Sequence, residues 1–186
     1  MSPLLILITG LPGSGKTTLA RKIVDEFHFP LIARDDIKEQ LFDTLGWSDR
    51  AWSRKLGIAS YSILYFTLEK MLQAGISCIV ESNFRSENDN LKMQELQKRY
   101  GARIIQIICT ADGKVLLQRF KDRAESGQRH PGHVDQTNYD EFSVELLNAQ
   151  VDQLQVEGSV IEIDTTKPEE IDYSSLFASV RSALST

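Results

Sequence analysis

Apolar residues follow two rhythms along the chain. Near-continuous runs at Leu4–Thr9, Pro30–Ala33, Ile76–Glu81, Arg103–Cys109 and Val160–Ile163 alternate with segments whose apolar positions recur at three and four. Unbroken Ile/Leu/Val runs suit parallel strands covered on both faces, and the intervening segments read as the covering helices. Helices are predicted from about Gly15 to Val24 and over Ile37–Leu45, Asp49–Ala74, Glu87–Tyr100, Gly113–Glu125, Tyr139–Gln155 and Tyr173–Leu184. In the longest, Trp52, Leu56, Ala59, Ile63 and Phe66 form the stripe predicted to face the core, with Tyr61 and Tyr65 beside it. The alternation predicts an α/β protein, a three-layer α/β/α sandwich around a five-stranded, mostly parallel sheet.

Composition narrows the partners more than the fold. The chain has 186 residues, 41% hydrophobic and 25% charged, without repeat or low-complexity tract, and residues 1–186 are expected to form one domain. A formal net charge of -5 gives no general attraction to polyanions, so nucleic acid would need a local basic groove. The run Leu4–Ile8 is too short to span a bilayer and lacks the flanks of a signal peptide, so no membrane partner is expected. Cys78 and Cys109 both sit in apolar β-branched runs and are predicted to be buried reduced thiols, which places the protein in the cytoplasm.

The first strand opens into Gly10-Leu11-Pro12-Gly13-Ser14-Gly15-Lys16-Thr17-Thr18, the P-loop or Walker A pattern between a strand and a helix. Its glycines let successive backbone N–H groups point at phosphate oxygens, and the helix adds its positive end. Lys16 would reach the outer phosphates of ATP and the Thr17 hydroxyl would bind Mg²⁺. Small kinases, switch GTPases and motor ATPases all use this loop. No Asn-Lys-x-Asp guanine motif follows, Asp43-Thr44-Leu45-Gly46 succeeds a helical stretch rather than a strand, and little chain remains for motor subdomains. A kinase is the class that fits.

Leu31-Ile32-Ala33-Arg34-Asp35-Asp36-Ile37-Lys38 sets two acids at the carboxyl edge of the sheet, where open α/β folds bind ligands. Asp35, nearer the strand end, is assigned as the base that orients an attacking hydroxyl, and Asp36 as the cap of the following helix. The P-loop followed by Arg34-Asp35-Asp36 resembles the polynucleotide-kinase-like branch of P-loop kinases, with zeta toxins, chloramphenicol phosphotransferase and gluconate kinases as similar relatives. The resemblance implies strand order 2-3-1-4-5 and a base at Asp35. It places Lys38 where polynucleotide kinases carry an Arg that contacts the acceptor phosphate; lysine keeps the charge and loses the fork.

Glu81 ends the third apolar run where related kinases carry an acidic Walker-B-like residue, and would bind Mg²⁺ through water or orient the acceptor. Asn83, Phe84 and Arg85 follow as acceptor-side candidates. Lys114, Arg119, Lys121, Arg123 and Arg129 cluster after the fourth strand, where related kinases have an Arg-bearing lid, here residues 119–134. Arg119, Arg123 and Arg129 would close on the transferring phosphoryl group, while His130 and His133 at the tip would touch the acceptor. No further His or Cys pair stands near them to make a zinc site. The sequence therefore predicts an ATP- and Mg²⁺-dependent kinase acting on a small-molecule hydroxyl. The alternatives are a 5′-hydroxyl polynucleotide kinase and a non-catalytic ATP-binding regulatory module.

Overall fold

The computed structural model describes residues 2–127, 129–134 and 151–185. Five strands form one parallel sheet: β1 (Leu4–Gly10), β2 (Leu31–Ala33), β3 (Cys78–Glu81), β4 (Arg103–Thr110) and β5 (Gly158–Asp164), in the order β2-β3-β1-β4-β5. The helices among the described residues are α1 (Lys16–Phe27), α2 (Arg34–Leu45), α3 (Arg50–Gln73), α4 (Ser86–Tyr100), α5 (Gly113–Glu125) and α6 (Tyr173–Leu184).

Alternation along the central strand builds two cores. Leu5 and Leu7 of β1 face Leu64, Leu68 and Leu72 of α3 and Met93 and Leu96 of α4. Leu4, Ile6 and Ile8 face Leu19 and Ile23 of α1 and Leu176 and Val180 of α6. Both faces being covered, β1 is buried at every position, which is why its sequence shows no polar alternation. Cys78 lies in the first core and Cys109 in the second, both free, and burial pushes each thiol up to about 12. Among the described residues no helix is long and apolar enough to cross a membrane.

Four expectations need correction. The chain passes from β2 into α2 without a loop: the helix starts at Arg34 with Ala33 as its cap residue and no side-chain cap. Asp36 is therefore not a cap, and it shares the first turn with Asp35, where the positive end of the helix favours both acids. The buried stripe of α3 is not the one predicted from Trp52, Leu56, Ala59, Ile63 and Phe66. Leu56 is buried, but Ile63 is 39% and Phe66 62% exposed, and the inner face consists of Ser53, Leu56, Gly57, Ser60, Leu64, Leu68 and Leu72. Its leucines Leu64, Leu68 and Leu72 cover the sheet, while Ser53 and Gly57 lie against α2, where a Cβ on Gly57 would come within 3.0 Å of an Arg34 guanidinium nitrogen. Phe84, taken as an acceptor-side residue, is buried in the first core. The helix expected over Tyr139–Gln155 lies outside the described residues up to position 150, and residues 151–155 are not helical.

Candidate active site

The P-loop links β1 to α1 at the carboxyl edge of the sheet. Gly13 (φ 82°) and Gly15 (φ 74°) hold the left-handed conformations that turn the loop's backbone inward, a region side-chain-bearing residues avoid. Lys16 is 8% exposed, and its Nζ donates to Leu11 O at 3.0 Å, so the ammonium lies across the loop. Burial lowers its pKa, opposed by the nearby Glu81 and Asp35 carboxylates. The Thr17 hydroxyl donates to Glu81 Oε2 at 3.0 Å, bringing the loop and the end of β3 together. Burial raises the Glu81 pKa and Lys16 pulls it back. The Ser14 hydroxyl is buried with no partner among the described residues.

Two cavities meet at this loop. One, of about 570 Å³, is lined by Gly13, Gly15, Lys16, Thr17, Thr18 and the arginines Arg119, Arg123 and Arg129, with Thr165, Pro168, Ile171 and Tyr173 along its far wall. The other, about 470 Å³, runs between α2, α3 and the end of β3 and includes Pro12, Arg34, Lys38, Tyr61, Glu81 and Asn83. Lys16, Thr17, Asp35, Arg123 and Arg129 line both.

Asp35 stands at the junction, its carboxylate accepting from Arg129 at 3.0 Å. Burial opposes its ionisation, but Arg129, His133, Arg34 and Lys16 outweigh that and hold the carboxyl well below the usual carboxylate range. Arg119 serves as a buttress: it donates to Gly13 O, to the Thr165 hydroxyl and to the carbonyls of Thr165 and Thr166. The Thr165 hydroxyl in turn donates to Ser14 O at 3.1 Å. The turn after β5 thus braces the P-loop from behind. Nothing in the sequence around Thr165 signalled this; only the sheet order, which brings the ends of β4 and β5 beside the loop, makes the contact.

The lid segment docks on α2. His133 is almost wholly buried, between Glu39 (Nε2 to Oε1, 2.9 Å) and Arg129 (Nδ1 to a guanidinium nitrogen, 3.0 Å). Arginine can only donate, so Nδ1 accepts and the proton sits on Nε2, directed at Glu39. His130 stacks on Phe42 at 5.0 Å between ring centroids and pairs with Asp43, away from both cavities. Arg85 is likewise outside the cavities: it precedes α4 as its cap residue, and its backbone N–H bonds Asp89. Asn83 lines the second cavity, and its carbonyl accepts from the Tyr61 hydroxyl. Of the two tyrosines beside the predicted α3 stripe, Tyr61 lines a cavity, whereas the Tyr65 hydroxyl is taken by Asp89.

Two expectations follow from the lid. A Cβ on residue 132 would lie 2.6 Å from the buried Phe42 ring, so Gly132→Ala should destabilise the protein by about 1–3 kcal/mol. Urea denaturation checks this, and an unchanged midpoint would mean that the ring moves aside freely. The His133 pKa is lowered by burial and Arg129 against the raising effect of Glu39. Below the unfolded value near 6.5 the unfolded chain takes up a proton that the folded site resists, so stability falls as pH drops from 6.5 towards the depressed folded value. His133→Gln should flatten that part of the stability curve, and a curve of unaltered slope would assign it to other groups.

The AAA-domain family profile matches residues 5–166, from β1 to the turn that braces the P-loop. The chain belongs to this AAA-domain family. Its fold is that of the P-loop kinases, with the strand order expected of them. Within that fold it is similar to a candidate kinase of Chloroflexus aurantiacus J-10-fl, at 39% identity and TM-score 0.88 over 98% of each chain. A sugar kinase of Janibacter sp. HTCC2649 matches at 19% identity and TM-score 0.54, covering 90% of this chain and 88% of the other. A gluconokinase of Sinorhizobium meliloti 1021 matches at 18% and 0.53, covering 99% and 95%. The last two likenesses concern the fold of the AAA-domain chain. Comparison with curated proteins gave no match.

Proposed function

We propose that the protein transfers the γ-phosphoryl group of ATP to a hydroxyl group of a small molecule seated in the second cavity. The observation that carries this reading is the junction: the same five residues, Lys16, Thr17, Asp35, Arg123 and Arg129, line the cavity at the P-loop and the cavity beside it. A site for binding nucleotide alone has no need of an ionised carboxylate at that boundary. The kinase named in the 39% identical relative points the same way.

The acceptor oxygen attacks the γ-phosphorus, the bond from that phosphorus to the β-γ bridging oxygen breaks, and ADP leaves. Asp35 orients the hydroxyl and takes its proton as the new bond forms. Its carboxyl, held ionised at neutral pH by Arg129, His133, Arg34 and Lys16, can accept a hydrogen bond from that hydroxyl. Lys16 and the P-loop N–H groups hold the phosphates, and Arg123 and Arg129 offset charge that spreads over the transferring group.

The donor set at Thr17 and Glu81 fits Mg²⁺: a hydroxyl and a buried carboxylate, hard oxygens 3.0 Å apart, would hold the ion beside the nucleotide phosphates. Among the described residues no cluster of three or more His, Cys, Asp or Glu offers a closed cage instead. Bound there, the ion would neutralise phosphate charge.

The test is transfer of label from γ-labelled Mg²⁺-ATP, with wild type and Asp35→Asn in parallel, onto a fractionated small-metabolite extract and a 5′-hydroxyl oligonucleotide. Label in a metabolite fraction, lost in the variant, is the expected result. Label on the oligonucleotide would turn the reading to a polynucleotide kinase, and nucleotide binding without labelling to a regulatory module.

A further inference from the structure

Arg119, expected from its place in the sequence to close on the transferring phosphoryl group, directs its hydrogens elsewhere. The two terminal nitrogens of a guanidinium carry four N–H bonds. Here Nη1 donates to Gly13 O and to the Thr165 hydroxyl, and Nη2 to the carbonyls of Thr165 and Thr166, so the P-loop and the turn after β5 take all four. Thr165, which receives most of this support, is 3% exposed.

The Thr165 hydroxyl has one proton and two carbonyls within reach, Ser14 O at 3.1 Å and Thr110 O at 3.0 Å. Arginine only donates, so the proton cannot turn towards Arg119. Thr110 O already accepts the backbone N–H of Thr165 at 2.8 Å, whereas Ser14 O accepts from no other group among the described residues. The first bond of α1 runs from Leu19 N to Gly15 O, one residue past it. A buried carbonyl left bare costs more than a second bond to Thr110 O left unmade, so the proton belongs on Ser14 O.

That choice fixes a peptide plane. A trans peptide points its N–H opposite to its C=O, so a Ser14 O tied to Thr165 turns the N–H of Gly15 away from Thr165. Among the described residues this N–H has no acceptor, and Gly15 lines the cavity at the P-loop. The plane precedes a glycine in the left-handed conformation (φ 74°), a junction that flips at little cost when nothing holds its oxygen. We propose that Thr165 is a positioning residue of the phosphate cradle: its hydroxyl, set by Arg119, holds Ser14 O so that the Gly15 N–H faces the nucleotide phosphates. The inference rests on the nucleotide half of the proposed function and not on transfer to any acceptor. It makes Arg119 a support of the loop, acting through Thr165.

The test titrates the full chain with Mg²⁺ and a non-hydrolysable ATP analogue by calorimetry. Thr165→Val keeps the shape and removes the proton, and Thr165→Ser keeps the hydroxyl. Affinity should fall about tenfold or more in the valine variant and stay within about threefold of wild type in the serine variant. Thr165→Ala repeats the comparison should the valine variant not fold. The direct readout is the Gly15 amide in nuclear magnetic resonance. Serine carrying ¹³C at its carbonyl and glycine carrying ¹⁵N leave two coupled pairs, Ser14–Gly15 and Ser126–Gly127, which Ser126→Ala tells apart. On addition of the analogue the Gly15 amide should move downfield, as an N–H does on meeting a phosphate oxygen, in wild type and Thr165→Ser but not where the hydroxyl is gone. A wild type that does not bind the analogue overturns the nucleotide reading and this inference with it. Binding with an unmoved Gly15 amide, unchanged affinity without the hydroxyl, or equal losses in the serine and valine variants overturns the role of Thr165 alone.

Discussion

Lys16→Ala should lower phosphoryl transfer by at least about 10³-fold and weaken nucleotide binding with it. The magnitude follows from where the ammonium lies. It is buried in the loop, within reach of Leu11 O and of the fields of Glu81 and Asp35, so water cannot replace it at low cost. Its removal takes a point charge from the phosphates and leaves Glu81, already raised by burial, with less reason to ionise. The loss should therefore appear in both kcat and the nucleotide affinity, measured by transfer kinetics and by titration with ATP. Because Glu81 would protonate more readily, the residual activity should also shift its acid limb to higher pH. A variant that keeps nucleotide affinity and loses only turnover would show that Lys16 acts on the transition state alone.

The second large effect is expected from Asp35→Asn, and it should divide differently. Nucleotide affinity should stay within a few-fold of wild type, because Asp35 repels rather than attracts phosphate, while transfer should slow by about 10²–10⁴-fold. Asparagine matches the carboxylate in shape and can still accept from Arg129, but it cannot take the acceptor's proton. The substitution also releases Arg129 from an ion pair at 3.0 Å, and a slight tightening of ATP binding is the signature of that release. Equal losses in nucleotide affinity and in rate would make Asp35 a structural anchor for the lid segment instead.

Much of this was legible along the chain because the physics is local. The P-loop is contiguous, so its glycines, Lys16 and Thr17 announce a phosphate site wherever the rest of the protein lies. All five strands, and the helices α4 and α5 within a residue, follow from apolar runs and their flanking turns. Where propensity and tertiary demand parted, the local reading failed. The stripe of α3 predicted through Ile63 and Phe66 is out of phase with the buried one, which runs through Leu56, Leu64, Leu68 and Leu72 and is small at Ser53 and Gly57, where Arg34 and Lys38 lie against it. Asp36 looked like a cap only because a loop was assumed between β2 and α2, and the chain contains none.

The sequence by itself determined the strand and helix order, the nucleotide loop and the identity of the acids at the sheet edge, since each depends on neighbours a few residues away. Tertiary structure alone decided that Thr165 braces the P-loop through Ser14 and Arg119, that His133 ties Arg129 to Glu39, and that Lys38 faces Ser53. Those contacts join segments brought together by the crossovers of a parallel sheet and by helix packing. A side chain carries no local mark of the partner that a fold will place beside it.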